Sequence, residues 1–167
     1  MRVRTGFVER VDGTIRPHAI RLVPIGELDG RTHRGFGDDD VMMAFEPFDA
    51  GPDDVERLIG SRGNDRIIAN DNANTISGGQ GNDYIEARGG DDIVEGGDGN
   101  DEIHGGAGND KLYGGGGNDK LFGEDGNDWL YAKDGQADIV NGGGGTEDHA
   151  QRDEGLDTVT GVEIIIV

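Results

Sequence analysis

Asp83, Asp92, Asp101, Asp110, Asp119 and Asp128 stand nine residues apart, each with a glycine two residues before it. A carboxylate is a hard oxygen ligand, the type that Ca2+ takes in preference to nitrogen or sulfur. Glycine beside it, lacking a Cβ, permits positive φ and lets backbone carbonyls turn toward an ion. The chain contains no cysteine, so thiolate metal sites and disulfides are excluded. The residue types and their interval therefore point to a row of divalent-cation sites.

Other chemistry finds no support. His18, His33, His104 and His149 are scattered and never show the His-Glu-x-x-His spacing of a helical zinc site. No Gly-x-Ser-x-Gly elbow occurs, and the glycines recur with Asn-Asp rather than with the Gly-Lys-Ser/Thr of a phosphate loop. The aspartates invite a glycosidase reading, but ligation already accounts for them. A non-catalytic chain is expected.

The ligands must be carried by a repeat. From Gly60 onward the sequence follows Gly-Gly-x-Gly-Asn-Asp-x-(Ile/Leu)-x, with the acidic residue at position 6 and the aliphatic one at position 8. Gly78–Glu86, Gly96–His104, Gly105–Tyr113 and Gly114–Phe122 are the cleanest copies. Gly60–Ile68, Ala69–Ser77, Ala87–Glu95 and Gly123–Tyr131 are looser, with Asp65, Asn74, Asp92 and Asp128 at position 6. After Tyr131 the register slips by one. Skipping Ala132 restores it, giving Lys133–Asn141 with Asp138 at position 6 and Gly142–Ala150 with Glu147 at 6 and His149 at 8. A histidine in an aliphatic slot marks the expected end of the stack.

Glycines at positions 1, 2 and 4 form the turn, Asn at 5 tolerates a left-handed backbone, and positions 7–9 make a short strand with only position 8 inward. Two units form an eighteen-residue coil, and coils stack about 4.8 Å apart into two parallel sheets. The core is two facing ladders of Ile, Leu and Val. At roughly 1.5–3 kcal/mol per buried aliphatic side chain, it cannot offset the ordering entropy of the remaining residues. Bound ions must supply the rest.

This pattern resembles the repeats-in-toxin family, whose glycine-rich nonapeptides form calcium-binding parallel β-rolls; the resemblance spans about residues 56–150. It implies an all-β, right-handed two-sheet solenoid binding several Ca2+, roughly four to eight, between turns one coil apart. Carried over, one column stacks Asp65, Asp83, Asp101, Asp119 and Asp138, and the other Asn74, Asp92, Asp110, Asp128 and Glu147. The best pairs are Asp83 with Asp101, Asp101 with Asp119, and Asp110 with Asp128, followed by Asp65 with Asp83 and Asp92 with Asp110. Asn74 and Glu147 depart from the pattern. Carbonyls of Gly78, Gly96, Gly105 and Gly114, and of Asn82, Asn100, Asn109 and Asn118, are the implied co-ligands. Such proteins act outside the cell, where millimolar calcium folds a chain exported unfolded.

Composition agrees with a metal-dependent fold. Of the net charge of −20, residues 1–59 carry −4 (8 basic, 12 acidic) and residues 60–167 carry −16 (7 basic, 23 acidic). That sign disfavours nucleic acid and anionic membranes, and it strains a compact state unless cations are bound. No apolar run reaches the roughly 18 residues of a membrane helix, so no membrane insertion is expected. Met1-Arg-Val-Arg-Thr-Gly6 has no signal-peptide core, which suggests a fragment or export without an N-terminal signal.

Residues 1–55 read as a small β-rich cap or the remnant of an upstream domain, residues 56–150 as the roll and residues 151–167 as a capping strand. Arg2–Val11, Ala19–Ile25 and Val41–Phe45 are strand candidates, with a turn at Asp12-Gly13 and a lead into the first coil at Asp53–Ile59. Asp38-Asp39-Asp40 reads as an acidic loop. Glu163-Ile-Ile-Ile-Val167 also resembles the family's C-terminal export signal. Tyr113, Phe122 and Tyr131 at position 9, with Trp129 nearby, suggest cross-strand packing, or alternatively a platform for extracellular polysaccharide or a cell surface.

Overall fold

The computed structural model describes residues 32–34, 39, 41–43 and 56–166. The candidates Arg2–Val11, Asp12-Gly13 and Ala19–Ile25 lie outside these residues. All elements among the described residues are strands. They begin with β1 (Thr32–Arg34), β2 (Val41–Met43), β3 (Glu56–Ile59), β4 (Arg66–Ile68) and β5 (Asn74–Gln80). Then follow β6 (Tyr84–Gly89), β7 (Ile93–Asp98), β8 (Glu102–Ala107), β9 (Lys111–Gly116) and β10 (Lys120–Asp125). The last five are β11 (Trp129–Tyr131), β12 (Ile139–Gly144), β13 (His149–Gln151), β14 (Thr158–Thr160) and β15 (Ile164–Ile166).

Odd strands form one eight-stranded sheet and even strands a seven-stranded one, each in sequence order. Every pairing is parallel. Neighbours in a sheet are thus successive coils of a two-sheet solenoid, the β-roll expected. Position 8 fills the centre. Ile67, Ile85, Ile103, Leu121 and Val140 align in the even sheet, facing Leu58, Ile76, Val94, Leu112, Leu130 and Ala150 in the odd sheet.

Four expectations need correction. The middle strands run through positions 7–9 and on into 1–3, alternating exposed and buried as in β8 and β9. Position 1 therefore also faces inward, because alternation continues unbroken along an extended strand. Ala69, Ala87 and Ala132 occupy it and belong to the core. Ala132 is thus not skipped; the extra residue lies in the turn between Ala132 and Asp138.

The second correction concerns the next turn. Leu130 pairs with Ala150, not with His149, and the Asp128 amide reaches Asp148, not Glu147. A further residue enters this turn, so Asp148 takes position 6 and Ala150 position 8. His149 points outward and stacks on Trp129, ring centroids 4.1 Å apart.

Third, the stack does not end there. Residues 151–167 contribute a strand to each sheet, β14 against β12 and β15 against β13. At the other end, β1 and β2 extend the ladder against β3 and β4. Val41–Met43 falls within a predicted strand, whereas Thr32–Arg34 was not anticipated. Fourth, left-handed backbone occurs at positions 2 and 4, as at Gly97 (φ 120°) and Gly99 (φ 132°), and not at Asn of position 5. Arg88 and Glu124 hold position 2 at φ 79° and 76°, a strained region for a side-chain-bearing residue.

Candidate metal centre

Each turn delivers its position-6 carboxylate to the same place. The strand that follows position 6 anchors it, and the turn before it wraps the side chain, which is buried at every Asp from Asp65 to Asp148 along both columns. One oxygen is used in the same way each time. The Asp65, Asp83, Asp101 and Asp119 amides donate to Oδ1 of Asp83, Asp101, Asp119 and Asp138, at 2.7–2.8 Å. In the other column Asn74, Asp92, Asp110 and Asp128 donate to Asp92, Asp110, Asp128 and Asp148, at 2.6–2.8 Å. These bonds lock one coil to the next.

The other oxygen is left over. Oδ2 of Asp83, Asp92, Asp101, Asp110, Asp128, Asp138 and Asp148 is buried without a hydrogen-bond partner. An unpaired buried carboxylate oxygen is costly, and seven in regular array call for a common partner. Their surroundings are oxygen as well. The point where a Cβ on Gly96 would stand lies within 3.0 Å of both Asp101 Oδ2 and the Gly114 carbonyl oxygen. The same convergence joins Asp83 to Gly96 O beside Gly78, and Asp110 to Gly123 O beside Gly105. It also joins Asp128 to Gly142 O beside Gly123, and Asp65 to Gly78 O beside Gly60. Except beside Gly60, where the Ser61 amide donates to Asp65 Oδ2, these converging oxygens have no donor among them and repel unless a cation lies between.

Asn74 provides an internal control. At this one position 6 an amide replaces the carboxylate, and its Nδ2 donates to the carbonyls of Asn70 (3.2 Å) and Asn72 (2.5 Å), positions 2 and 4 of its own turn. A positive hydrogen is thus drawn to the place where carbonyls meet the side-chain end. Where Asp stands instead, the side chain has no such hydrogen to offer the carbonyls. No three His, Cys, Asp or Glu side chains converge among the described residues. A cation here takes one or two carboxylates and completes its six to eight oxygens from carbonyls and water, which suits Ca2+.

Electrostatics report the same deficit. Burial pushes the Asp83 and Asp110 carboxyls up to about 7 and Asp92 up to about 8; the hydrogen bond accepted from the backbone one coil earlier pulls the other way, and the carboxylate one coil on adds to the rise. Burial likewise raises Asp119, Asp128 and Asp138 to about 6, and raises Asp101. Oδ2 of Asp65, unlike those left over, accepts the Ser61 amide at 2.6 Å.

Of the implied co-ligands, Gly78, Gly96 and Gly114 present their carbonyls in these cradles, while Gly105 follows one coil after Ala87. Asn82, Asn100, Asn109 and Asn118 have a different visible task. Their Oδ1 atoms accept the amides of Asn100, Asn118, Asn127 and Ala137, a second ladder at the exposed rim. Sequence reasoning missed Asp148 and the carbonyls of Gly123, Gly142 and Gly161. The acidic pair Glu147-Asp148 held the signal for the first. Asp39, from the acidic loop, accepts the Asn64 amide at 2.8 Å.

On the outer face, Tyr113 and Tyr131 stack at 4.4 Å with 4° between their planes. One face of each ring covers the other, so the pair packs between coils as cross-strand neighbours do.

Comparison with curated proteins and with solved structures gives no match. The family model for the RTX calcium-binding nonapeptide repeat (4 copies) matches residues 53–85, 68–103, 86–121, 104–136 and 113–146, more than half of the chain. The chain belongs to the RTX calcium-binding nonapeptide repeat family.

Proposed function

We propose that this chain is a non-catalytic, extracellular calcium-binding module whose folding is driven by Ca2+ bound between turns one coil apart. The ligands are the position-6 carboxylates of Asp65, Asp83, Asp92, Asp101, Asp110, Asp119, Asp128 and Asp138, with Asp148 added to their number. Carbonyls of the glycine turns complete each shell. One observation carries the reading: the row of buried Oδ2 atoms that face carbonyl oxygens and have no donor. When bound, Ca2+ supplies positive charge to these oxygens. The chain supplies their placement, through the amide hydrogen bonds that fix Oδ1 from Asp83 onward, and it shields the carboxylates by burying them. In low-calcium cytosol the acidic chain stays extended and exportable, and millimolar calcium outside completes the fold.

Isothermal titration of the chelated chain with Ca2+ tests this. Uptake of four or more ions per chain, in the 10⁻⁴–10⁻³ M range usual for extracellular modules, is expected. No saturable uptake overturns it.

A further inference from the structure

The family match stops at residue 146, yet the cradle geometry does not. Asp148 is fully buried, and its Oδ2 has no hydrogen-bond partner. Beside Gly142, within 3.0 Å of the point where a Cβ would stand, this oxygen converges with the carbonyl oxygen of Gly161. Gly161 lies in the C-terminal stretch, which carries no copy of the repeat. Glu163 completes the likeness: its Oε2 accepts the Asp148 amide at 2.9 Å, the bond that Asp148 Oδ1 makes with Asp128 one coil earlier. The spacing there is 15 residues against 20 in the preceding coil, and the longer Glu side chain spans what the shorter turn leaves open.

From this we infer that the last coil forms a further Ca2+ site, built from Asp148 Oδ2, the Gly161 carbonyl and the Glu163 carboxylate. The site rests on the calcium reading above. Its consequence is local. Calcium there fastens β15 and its approach to the body of the roll, so that the C-terminal segment becomes ordered by ion binding rather than by packing alone. The packing is sparse: Ile164 and Ile165 are each 40% exposed and Leu156 is 51% exposed. The partner column ends differently, because Asp157 Oδ2 accepts the Asp153 amide at 2.7 Å and is already satisfied. The extra site therefore belongs to one column only.

The test uses the full chain, with Asp148→Asn, Glu163→Gln and, as a control at the other end, Asp83→Asn. Asp148→Asn retains an Oδ1 acceptor for the Asp128 amide. Two readouts are taken: ions bound per chain by equilibrium dialysis, and amide hydrogen exchange of residues 158–166 with and without Ca2+. A third uses terbium as the probe. The only tryptophan, Trp129, adjoins Asp128 and stacks on His149, so tryptophan-excited terbium emission samples this end of the roll.

Glu163→Gln is expected to lose one ion, and both C-terminal variants to lose at least tenfold of the calcium-dependent protection over residues 158–166. Both should also dim the tryptophan-excited emission. Asp83→Asn should lose ions but keep that protection. If wild type takes up calcium and folds while Glu163→Gln and Asp148→Asn keep full stoichiometry and C-terminal protection, this inference is wrong and the general reading stands. If wild type takes up no calcium, both fall.

Discussion

Asp101 shows what one carboxylate does here. Its Oδ1 holds the preceding coil through the Asp83 amide, and its Oδ2 faces the Gly114 carbonyl without a donor. Asp101→Asn keeps the first role and removes the charge from the second. Calcium titration of this variant, followed by circular dichroism, should need about tenfold more ion at the midpoint, about 1.4 kcal/mol. Glu102→Gln next to it, half-buried on the outer face and paired with Lys120 at 2.8 Å, should leave the midpoint nearly unchanged, since surface pairs contribute little. The pH dependence follows from the raised carboxyls. Each must lose its proton to bind calcium, so calcium affinity should fall as pH drops through the range from about 8 to about 6, with protons released on binding. Without calcium the sign reverses. The folded state holds these protons more tightly than the unfolded chain, so acidifying from pH 7 toward 4 in chelator should favour compaction, and raising the pH should undo it. Circular dichroism in chelator across that range checks the direction.

The strands were readable because position 8 is aliphatic in nearly every unit, and the parallel pairing followed from the nine-residue period. Position 1 gave no such sign. Glycine has no side chain to mark a buried face, so the second inward column is visible only where Ala69, Ala87 and Ala132 replace it. The late turns were misaligned for a related reason. Gly142–Gly145 offer four consecutive glycines, and Glu147 and Asp148 are both acidic, so two registers fit the motif equally. The pairing of Leu130 with Ala150 selects the one that keeps a small apolar residue inside. Within a ladder, Leu112→Ala should cost about 2–5 kcal/mol in denaturation at saturating calcium, through transfer and cavity terms. On the outer face, replacing Tyr113 and Tyr131 together by Ala should cost about 0.5–1.5 kcal/mol beyond lost area, from the stacked pair alone. Ion stoichiometry should survive that change; if it drops, the rings do more than pack.

For the whole chain the dominant facts are a net charge of −20 and a core only two side chains wide. Both push against compaction. Coil-to-coil hydrogen bonds organise the stack, yet they place unpaired carboxylates in its interior, a cost that the proposed calcium binding would offset. Far-ultraviolet circular dichroism of the full chain, recorded first in excess chelator and then in millimolar Ca2+, tests this most directly. The account predicts a disordered spectrum in chelator that converts to a β spectrum on adding calcium and reverts when the ion is removed. A β spectrum of equal strength in both solutions would contradict it.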